Sequence, residues 1–596
     1  MLPRFYLACA LSLGSAVALA QPTTSASVAI FASGVWSGNV TPTSASVVTR
    51  LVTAGQKVRL QVSTSATLTP AIFSSAATTA VSAGNTLTLS VQGLQPDTDY
   101  YYGIEVGGVL RTEAISRGQF HTFPLGRASF RIAFASCSDY NAPDQRAFDA
   151  IAAEKPLLFI HMGDLHYHDT NSTNVDDYRA NYDAVLNQPN QSALYRSVAL
   201  AYVWDDHDFC GNNSDTTAVG RDTARAIYKE RAPHYPLANN AGSTIAQSFT
   251  VGRVRVIMTD LRSAADPSSK KDNASKTHLG AAQKAWFKQE LINARDAGFP
   301  LVLWVSTNPW IGQLDPTEDI DNWTGYQTER TEIANFIRDN RITNVAILAG
   351  DMHALAFDDG THSDYATGGG APLTVLQAAS LTQGGSIKGG PYSGAPVAGS
   401  PQYGILEVYD SGGPSIACRF IGMRAGEGRK MTYTFSTFNA ASPQAQAFSN
   451  ISTLSRLASG GDSLVSGFVI PGTASRTVLV RAVGPTLAQF GISDALSAPQ
   501  LVVFQNGTAI VTNEAWAAAP APGNADATSP SDPAPNATID RLNAAFDQVG
   551  AFHLIDPASR DAAALLTLAP GSYTIQVKSA TGTAGSTLLE VYNVPQ

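Results

Sequence analysis

Four apolar, strand-like runs in the middle of this chain each end in a cluster of acidic, His, Cys or amide residues. No other feature constrains the fold as much. Ser136-Cys137-Ser138-Asp139 follows Phe130–Ala135, and Gly163-Asp164-Leu165-His166-Tyr167-His168-Asp169 follows 157–161. Trp204-Asp205-Asp206-His207-Asp208-Phe209-Cys210-Gly211-Asn212-Asn213 closes the run 200–204, and Gly350-Asp351-Met352-His353 follows Val345–Ala349. A fifth apolar run occupies Leu301–Ser306, and helical periodicity separates several of the five. The clear helices are 282–297, closing at Gly298, and 328–340, with a further first turn at Pro143 ahead of Phe148 and Ile151. Alternating strand and helix predicts an α/β layered domain with helices covering a sheet. Ligands of such sheets bind beyond the carboxyl ends of the strands, so the four clusters can converge.

Converging carboxylates repel one another and raise their own pKa values unless a cation neutralises them. Carboxylate and amide oxygens suit hard cations, whereas imidazole, thiolate and phenolate suit a transition metal. The mixture predicts a site with unlike metals. Each piece also has a bland reading: Asp164 as part of a common Gly-Asp turn, Cys137 as a small buried hydrophobe, Tyr167 as a core aromatic, His353 as a packed or surface histidine. Trp204 to Asp208 resists such a reading, because burying unpaired charge at a strand end is costly. Taken in order, the four clusters point to a metal site.

The flanks are different. From 28 to 124 the pattern is strand, turn, strand, with strand-type residues at 45–52 and 58–62. Leu94-Gln95-Pro96-Asp97-Thr98-Asp99-Tyr100 resembles the tyrosine corner of immunoglobulin-like and fibronectin type III domains, so 24–125 is expected to be a β-sandwich. From 450 to 596 the pattern is again all-β, with strands at 467–470, 477–483, 501–504 and 588–592, a turn at Asn506-Gly507 and an Ala/Pro/Asn-rich loop at 515–537. The expected fold class is thus an α/β layered core, 127–437, between an N-terminal and a C-terminal β-sandwich module. The length of 596 residues exceeds one core, and 44% hydrophobic residues exclude disorder for most of it. A net charge of −9 gives no nucleic-acid-binding surface. Arg4 followed by the apolar run 5–19 and Ala18-Leu19-Ala20 reads as a signal peptide, 1–20, which predicts an exported protein, periplasmic or extracellular. No stretch is long enough for a transmembrane segment. Cys137, Cys210 and Cys418 would remain, and a disulfide between the last two is one arrangement that leaves Cys137 free.

The order Ser-Cys, Gly-Asp-x-x-Tyr, Trp-Asp-Asp-His-Asp and Gly-Asp-x-His, at Ser136-Cys137, Gly163 to Tyr167, Trp204 to Asp208 and Gly350 to His353, resembles the alkaline phosphatase D (PhoD-like) family of metallophosphatases. Supporting stretches are Thr259-Asp260-Leu261-Arg262-Ser263, Leu279-Gly280 leading to Gln283 and Trp286, and Asn322-Trp323-Thr324-Gly325-Tyr326 with Glu329-Arg330. The resemblance covers 127–410 and reaches the leading domain through Asn39-Val40-Thr41-Pro42-Thr43-Ser44 and Thr49-Arg50. It leaves out the C-terminal module. It implies one ferric iron (Fe3+) and calcium (Ca2+). Carried over, Cys137, Asp164, Tyr167, Asp351 and His353 would surround the iron and its bridge, and Asp206 and Asn212 would bind calcium. The choices between Asp205 and Asp206, and between Asn212 and Asn213, stay open at this stage.

The chemistry of the residues agrees with a metal-dependent phosphoester hydrolase. Neighbouring cations lower the pKa of a bound water and neutralise phosphoryl oxygens. His207 is a proton donor to the leaving group or an orienter of Asp205 or Asp208, and Arg262 is a bidentate phosphate fork or a surface salt bridge. Trp310, Trp323 and Tyr326 either wall the pocket or pack. Expected substrates are phosphoesters: a small molecule, nucleotide-like or a lipid headgroup, with diester and monoester both open. The alternatives are a phospholipase D-like headgroup hydrolase and a surface-binding protein whose metal is structural. The C-terminal module can contact carbohydrate or envelope surface, or merely cap the fold.

Overall fold

The computed structural model describes residues 29–312, 320–439, 450–470, 475–505, 507–518, 521–522, 535–554, 556–569 and 571–594. The expected signal peptide, Asn506 of the turn and much of 515–537 lie outside them.

Two mixed sheets face each other in the core. One has nine strands in the order Gly428–Phe438, Ser415–Arg424, Gln402–Tyr409, Phe130–Ala135, Leu158–Met162, Leu200–Val203, Phe31–Gly38, Ser44–Leu51, Thr86–Gln92. The other runs Gln247–Val251, Val254–Met258, Leu301–Ser306, Val345–Ala349, Thr374–Ala378, Ala354–Asp358, Gly394–Ala398. In the middle of each sheet the strands are parallel: 130–135 beside 158–162 beside 200–203, and 254–258 beside 301–306, 345–349 and 374–378. Alternation along these strands divides the second sheet. Val254, Val256, Met258, Leu301, Leu303 and Val305 join the core shared with the first sheet, while Ile257, Val302, Trp304 and Ile347 pack beneath Ala281–Asp296 and Gln327–Asp339 through Phe287, Leu291, Ile333 and Ile337. Each fully buried side chain of this kind contributes about 1.5–3 kcal/mol. Helices Arg146–Ala153, Val175–Asn187 and Pro189–Ser197 accompany the first sheet, giving helix, sheet, sheet, helix. Pro143 lies three residues before the helix it was expected to open.

The leading region is not a free-standing pair of sheets. Its strands 31–38, 44–51 and 86–92 extend the nine-stranded sheet, because Gly38 pairs in parallel with Leu200. Its other strands, chiefly Lys57–Ser63, Asp99–Val106 and Arg117–His121, form a separate small sheet. The Tyr100 hydroxyl accepts from the Gln95 N–H at 2.9 Å, the bond that closes a tyrosine corner. At the far end, a four-stranded and a five-stranded sheet share one apolar core that includes Phe468, Val480, Val503, Ile575 and Val591. The loop expected over 515–537 overlaps helix Pro535–Val549, because Leu542 and Phe546 supply an apolar stripe that packs on Leu479, Trp516 and Tyr592. No helix among the described residues is long and apolar enough to cross a membrane.

Candidate active site

The parallel strands of both sheets bring their carboxyl ends to one place, and the backbone there is unusual. Cys137 (φ 65°), Asp164 (φ 53°) and Asp351 (φ 61°) all have left-handed conformations just beyond their strands. Such positions cost on the order of 1–3 kcal/mol each and persist where the surroundings enforce them. Here the turns are laced together. The Cys137 N–H bonds the Gly163 carbonyl at 3.2 Å, the Ser138 N–H the Asp164 carbonyl at 2.8 Å, and the Asp351 N–H the Ser136 hydroxyl at 3.2 Å. Gly163, at φ 90°, is required: a Cβ there would lie 2.4 Å from that of Asp205.

The acidic segment divides its work. Asp208 caps the short helix Asp206–Phe209, accepting from the N–H groups of Asp205 (2.7 Å) and Leu165 (2.8 Å) and from the Tyr202 hydroxyl (2.7 Å). Asp205 accepts from Arg262 Nε (2.5 Å), Asn308 Nδ2 (2.9 Å) and Thr307 Oγ1 (3.3 Å). Asp206 is left open. Its Oδ2 takes the Asn213 N–H at 2.7 Å, while its buried Oδ1 has no hydrogen-bond partner and lies 3.8 Å from Arg262. Across the site, Asp351 Oδ1 meets Lys388 and its buried Oδ2 has no partner. Asp164 Oδ2 accepts from the Tyr167 hydroxyl at 2.9 Å, which is also 3.4 Å from His353 Nε2. His353 Nδ1 bonds the Gly384 carbonyl at 2.7 Å, so that nitrogen carries the proton and Nε2 keeps its lone pair. Ligand atoms of Asp164, Asp206 and His207 all lie within 4.8 Å of one another.

Electrostatics show a charge imbalance at the site. Burial, then Asp206, Asp205, Asp208 and Asp351, push the Asp164 carboxyl well above its ordinary range. Burial, then Asp164, raise the thiol of Cys137 and the phenol of Tyr167. Burial pushes Asp208 up to about 6. Asp205 is also raised by burial, against Arg262; for Asp206, Arg262 and His207 outweigh burial and hold it below the carboxylate range. Six carboxylates (Asp164, Asp205, Asp206, Asp208, Asp321, Asp351) thus gather around two fixed cations, Arg262 and Lys388. Excess buried negative charge with orphaned carboxylate oxygens is the chemistry of a cation site. Oxygen from Asp206 suits a hard cation, and thiol, phenol, imidazole and carboxylate from Cys137, Tyr167, His353 and Asp164 suit a transition metal.

Residues 132–392 match the sequence profile of the PhoD-like phosphatase family, and residues 16–124 match that of its N-terminal domain. The chain belongs to the PhoD-like phosphatase family. Alkaline phosphatase D of Bacillus subtilis (strain 168) is 25% identical over 322 residues, which are 46% of this chain and 54% of that protein. The chain therefore spans about half the length of the curated relative it matches. A solved structure described as "Structure of PhoD" has the same fold, with a TM-score of 0.57 at 21% identity over 70% of this chain and 92% of that one. Purple acid phosphatase PPD1 from yellow lupin (Lupinus luteus) seeds aligns with a TM-score of 0.47 at 11% identity, over 68% of this chain and 74% of that one.

On this PhoD-like frame the structure gathers Cys137, Asp164, Tyr167, Asp206, His207, Asp351 and His353 at the strand ends. Asn212 is exposed on the following turn, beside the Asn213 N–H that Asp206 accepts. Other expectations change. The surface salt bridge considered for Arg262 is a buried one, on Asp205 and on Asp321 (2.8 Å), because the guanidinium sits beneath the carboxylates at 2% exposure. Its Nε and one terminal nitrogen are thereby taken, so it does not offer solvent a free bidentate fork. Trp310, Trp323 and Tyr326 do not wall the pocket: they are buried, the tryptophans against Trp304 and Tyr326 stacked on His278. Cys210 and Cys418 are both free, the first beside the Tyr178 hydroxyl and the second on strand 415–424, so no disulfide joins them. His207 orients neither Asp205 nor Asp208; its Nδ1 bonds Asp169 at 2.5 Å and its ring lies 4.1 Å from that of Tyr167. Three residues went unread in the sequence, Asn308, Asp321 and Lys388, and Asp169 stands there only as the end of its cluster, with no role. Asn308 closes a fifth strand and the strand-end rule could have found it. Lys388 carries only the weak signal of a lone cation in a Gly-rich loop.

Proposed function

We propose that this protein is an exported, metal-dependent phosphoester hydrolase. The observation that carries the reading is the pair of buried, unpartnered oxygens, Asp206 Oδ1 and Asp351 Oδ2, within a carboxylate cluster that two fixed cations do not neutralise. Cys137, Asp164, Tyr167, Asp351 and His353 are the residues to hold ferric iron and its bridge, and Asp206 with Asn212 those to hold calcium. When bound, such cations lower the pKa of water and neutralise charge on a phosphoryl group. The rest is the work of the chain. Arg262, Asn308 and Thr307 fix Asp205, and through it the turn that presents Asp206. Tyr167 and the His207 N–H orient Asp164 from its two oxygens. His207, anchored at Nδ1 by Asp169, keeps Nε2 to hand a proton to the leaving alkoxide. The substrate is a phosphoester of a small molecule, a nucleotide-like compound or a lipid headgroup. Domain limits of 24–125, 127–437 and 450–596 accompany this reading, with the last unit as a β-sandwich contact module for carbohydrate or envelope surface. The apolar run 5–19 and Ala18-Leu19-Ala20 support export.

The deciding experiment is nitrophenol release from bis-p-nitrophenyl phosphate and p-nitrophenyl phosphate at alkaline pH, with calcium, with chelator, and in Asp164→Asn. Calcium-dependent turnover that the chelator and the substitution both abolish is expected. No turnover of either ester by the loaded protein favours a narrow lipid-headgroup substrate or the surface-binding alternative, and global unfolding on chelation in place of simple loss of activity overturns the reading. A visible absorption band lost in Tyr167→Phe is expected for ferric phenolate ligation; a colourless, iron-free and fully active preparation removes the iron assignment.

A further inference from the structure

Arg262 and Lys388 both pair with the site's carboxylates, and they differ in what they have left to offer. Arg262 is sealed in, with Nε on Asp205, one terminal nitrogen on Asp321 and the other 3.8 Å from Asp206. Lys388 approaches from the open side, with 39% of its side chain exposed. Its ammonium has three N–H donors, and Asp351 Oδ1 is the one hydrogen-bond acceptor it takes among the described residues. The loop that carries it is pinned on both sides: the Ser386 N–H bonds the His353 carbonyl (3.2 Å), the Gly390 N–H bonds the Ile311 carbonyl (3.3 Å), and the Tyr392 hydroxyl bonds the carbonyl of Lys388 itself (3.0 Å). A held ammonium with two donors to spare, beside Asp351 on a part-exposed side chain, is a ready-made contact for an anion. The carboxylates around it would otherwise repel a phosphate.

Resting on the hydrolase reading above, we propose that Lys388 recognises the substrate phosphate. Anchored on Asp351 by one N–H, it donates the others to non-bridging phosphoryl oxygens. A fixed positive charge attracts a doubly charged monoester more than a singly charged diester, so Lys388 biases the site towards phosphate monoesters.

The test uses the metal-loaded full-length protein and inorganic phosphate as probe, measured as a competitive inhibitor and by direct titration. Lys388→Met is expected to weaken phosphate about 100-fold, the effect of losing two charge-assisted hydrogen bonds. Lys388→Arg is expected to restore most of it. KM for p-nitrophenyl phosphate should rise with the phosphate constant, and that for bis-p-nitrophenyl phosphate should rise less. Metal content and melting temperature should stay at wild-type values. Unchanged phosphate affinity in Lys388→Met overturns the proposal, and equal losses on monoester and diester overturn its selectivity. A fall in metal content that accounts for the lost affinity in both Lys388→Met and Lys388→Gln assigns the residue to holding Asp351 and also overturns it. Phosphate binding that depends on Lys388, in a protein that hydrolyses neither these esters nor a lipid headgroup, would keep this inference while removing the hydrolase reading. Ester turnover indifferent to Lys388 would do the reverse.

Discussion

Two regions of this molecule bury charge, and they do so to opposite ends. In the C-terminal region Arg481 is fully buried, with Nε on Glu590 (2.5 Å), a terminal nitrogen on the Phe552 carbonyl (2.5 Å) and its guanidinium 4.1 Å from the Phe552 ring centroid. Glu590 uses its other oxygen to accept from the Tyr592 hydroxyl at 2.7 Å. One positive charge meets one negative charge, and although the second terminal nitrogen of Arg481 makes no hydrogen bond, the charges balance. At the strand ends of the core, six carboxylates meet two cations, and two buried carboxylate oxygens accept no hydrogen bond. Burial of charge is therefore no sign of function by itself. Imbalance is the sign, because an uncompensated cluster is stable only when something from outside completes it.

The sharpest way to break that contrast is to cut the closed pair. Glu590→Gln leaves Arg481 buried without its counter-charge, and the C-terminal region should lose about 3–5 kcal/mol in denaturant unfolding. Ester hydrolysis should stay at the wild-type rate. The matching cut in the open cluster should behave inversely. Asp206→Asn should lower turnover about 100- to 1000-fold, since several kcal/mol of transition-state stabilisation depend on the cation it would hold. The chelated variant should melt only slightly below chelated wild type, because Arg262 and His207 favour the ionised Asp206 carboxylate and the substitution removes that charge. A fall as large as that of Glu590→Gln would show that Asp206 is structural.

A smaller effect should separate loaded from chelated protein by pH. Asp208 is raised from 3.8 to about 6 by burial, so the folded state holds its proton more tightly than the unfolded one. A raised carboxyl favours the fold fully below pH 3.8, and that favour is lost as pH rises through about 6, roughly 3 kcal/mol at most. Asp164, raised further, acts in the same sense. The melting-temperature gap between loaded and chelated protein should therefore widen between pH 4 and pH 7. A constant gap would mean that no cation relieves this cluster. The smallest expected effect is none at all. Reductant should leave the melting temperature of the chelated protein unchanged, since Cys210 and Cys418 are free, whereas a disulfide there would be worth about 2–5 kcal/mol.

Legibility in the sequence followed local physics. Strands Leu301–Ser306 and Val345–Ala349 could be read to the residue, because both faces of a central parallel strand are covered and the run is uniformly apolar. Gln247–Val251 and Val254–Met258 escaped, since Ser248, Thr250 and Arg255 dilute the apolar run on the outer strands of that sheet. Helix Val175–Asn187 escaped too, its buried face being built from Tyr178, Arg179, Asn181 and Tyr182 as much as from Val185 and Leu186. Roles within the site were the least legible. Asp205, Asp206 and Asp208 are the same residue type within four positions, and nothing local distinguishes the anchor, the open ligand and the helix cap.

The sequence by itself determined that strands ending in Cys137, Asp164, Asp206 and Asp351 would bring charge and soft donors to one edge of an α/β layer. Strand periodicity and the position of each cluster are local properties, and a chain carries them before it folds. Only the tertiary structure decided which partner each carboxylate meets: Arg262 beneath Asp205 from 57 residues away, Lys388 on Asp351, Asn308 across from the second sheet, and no hydrogen-bond donor for Asp206 Oδ1. Charge compensation acts through space between segments distant in the chain, so the balance that separates a structural ion pair from a cation site exists only once the two sheets have packed.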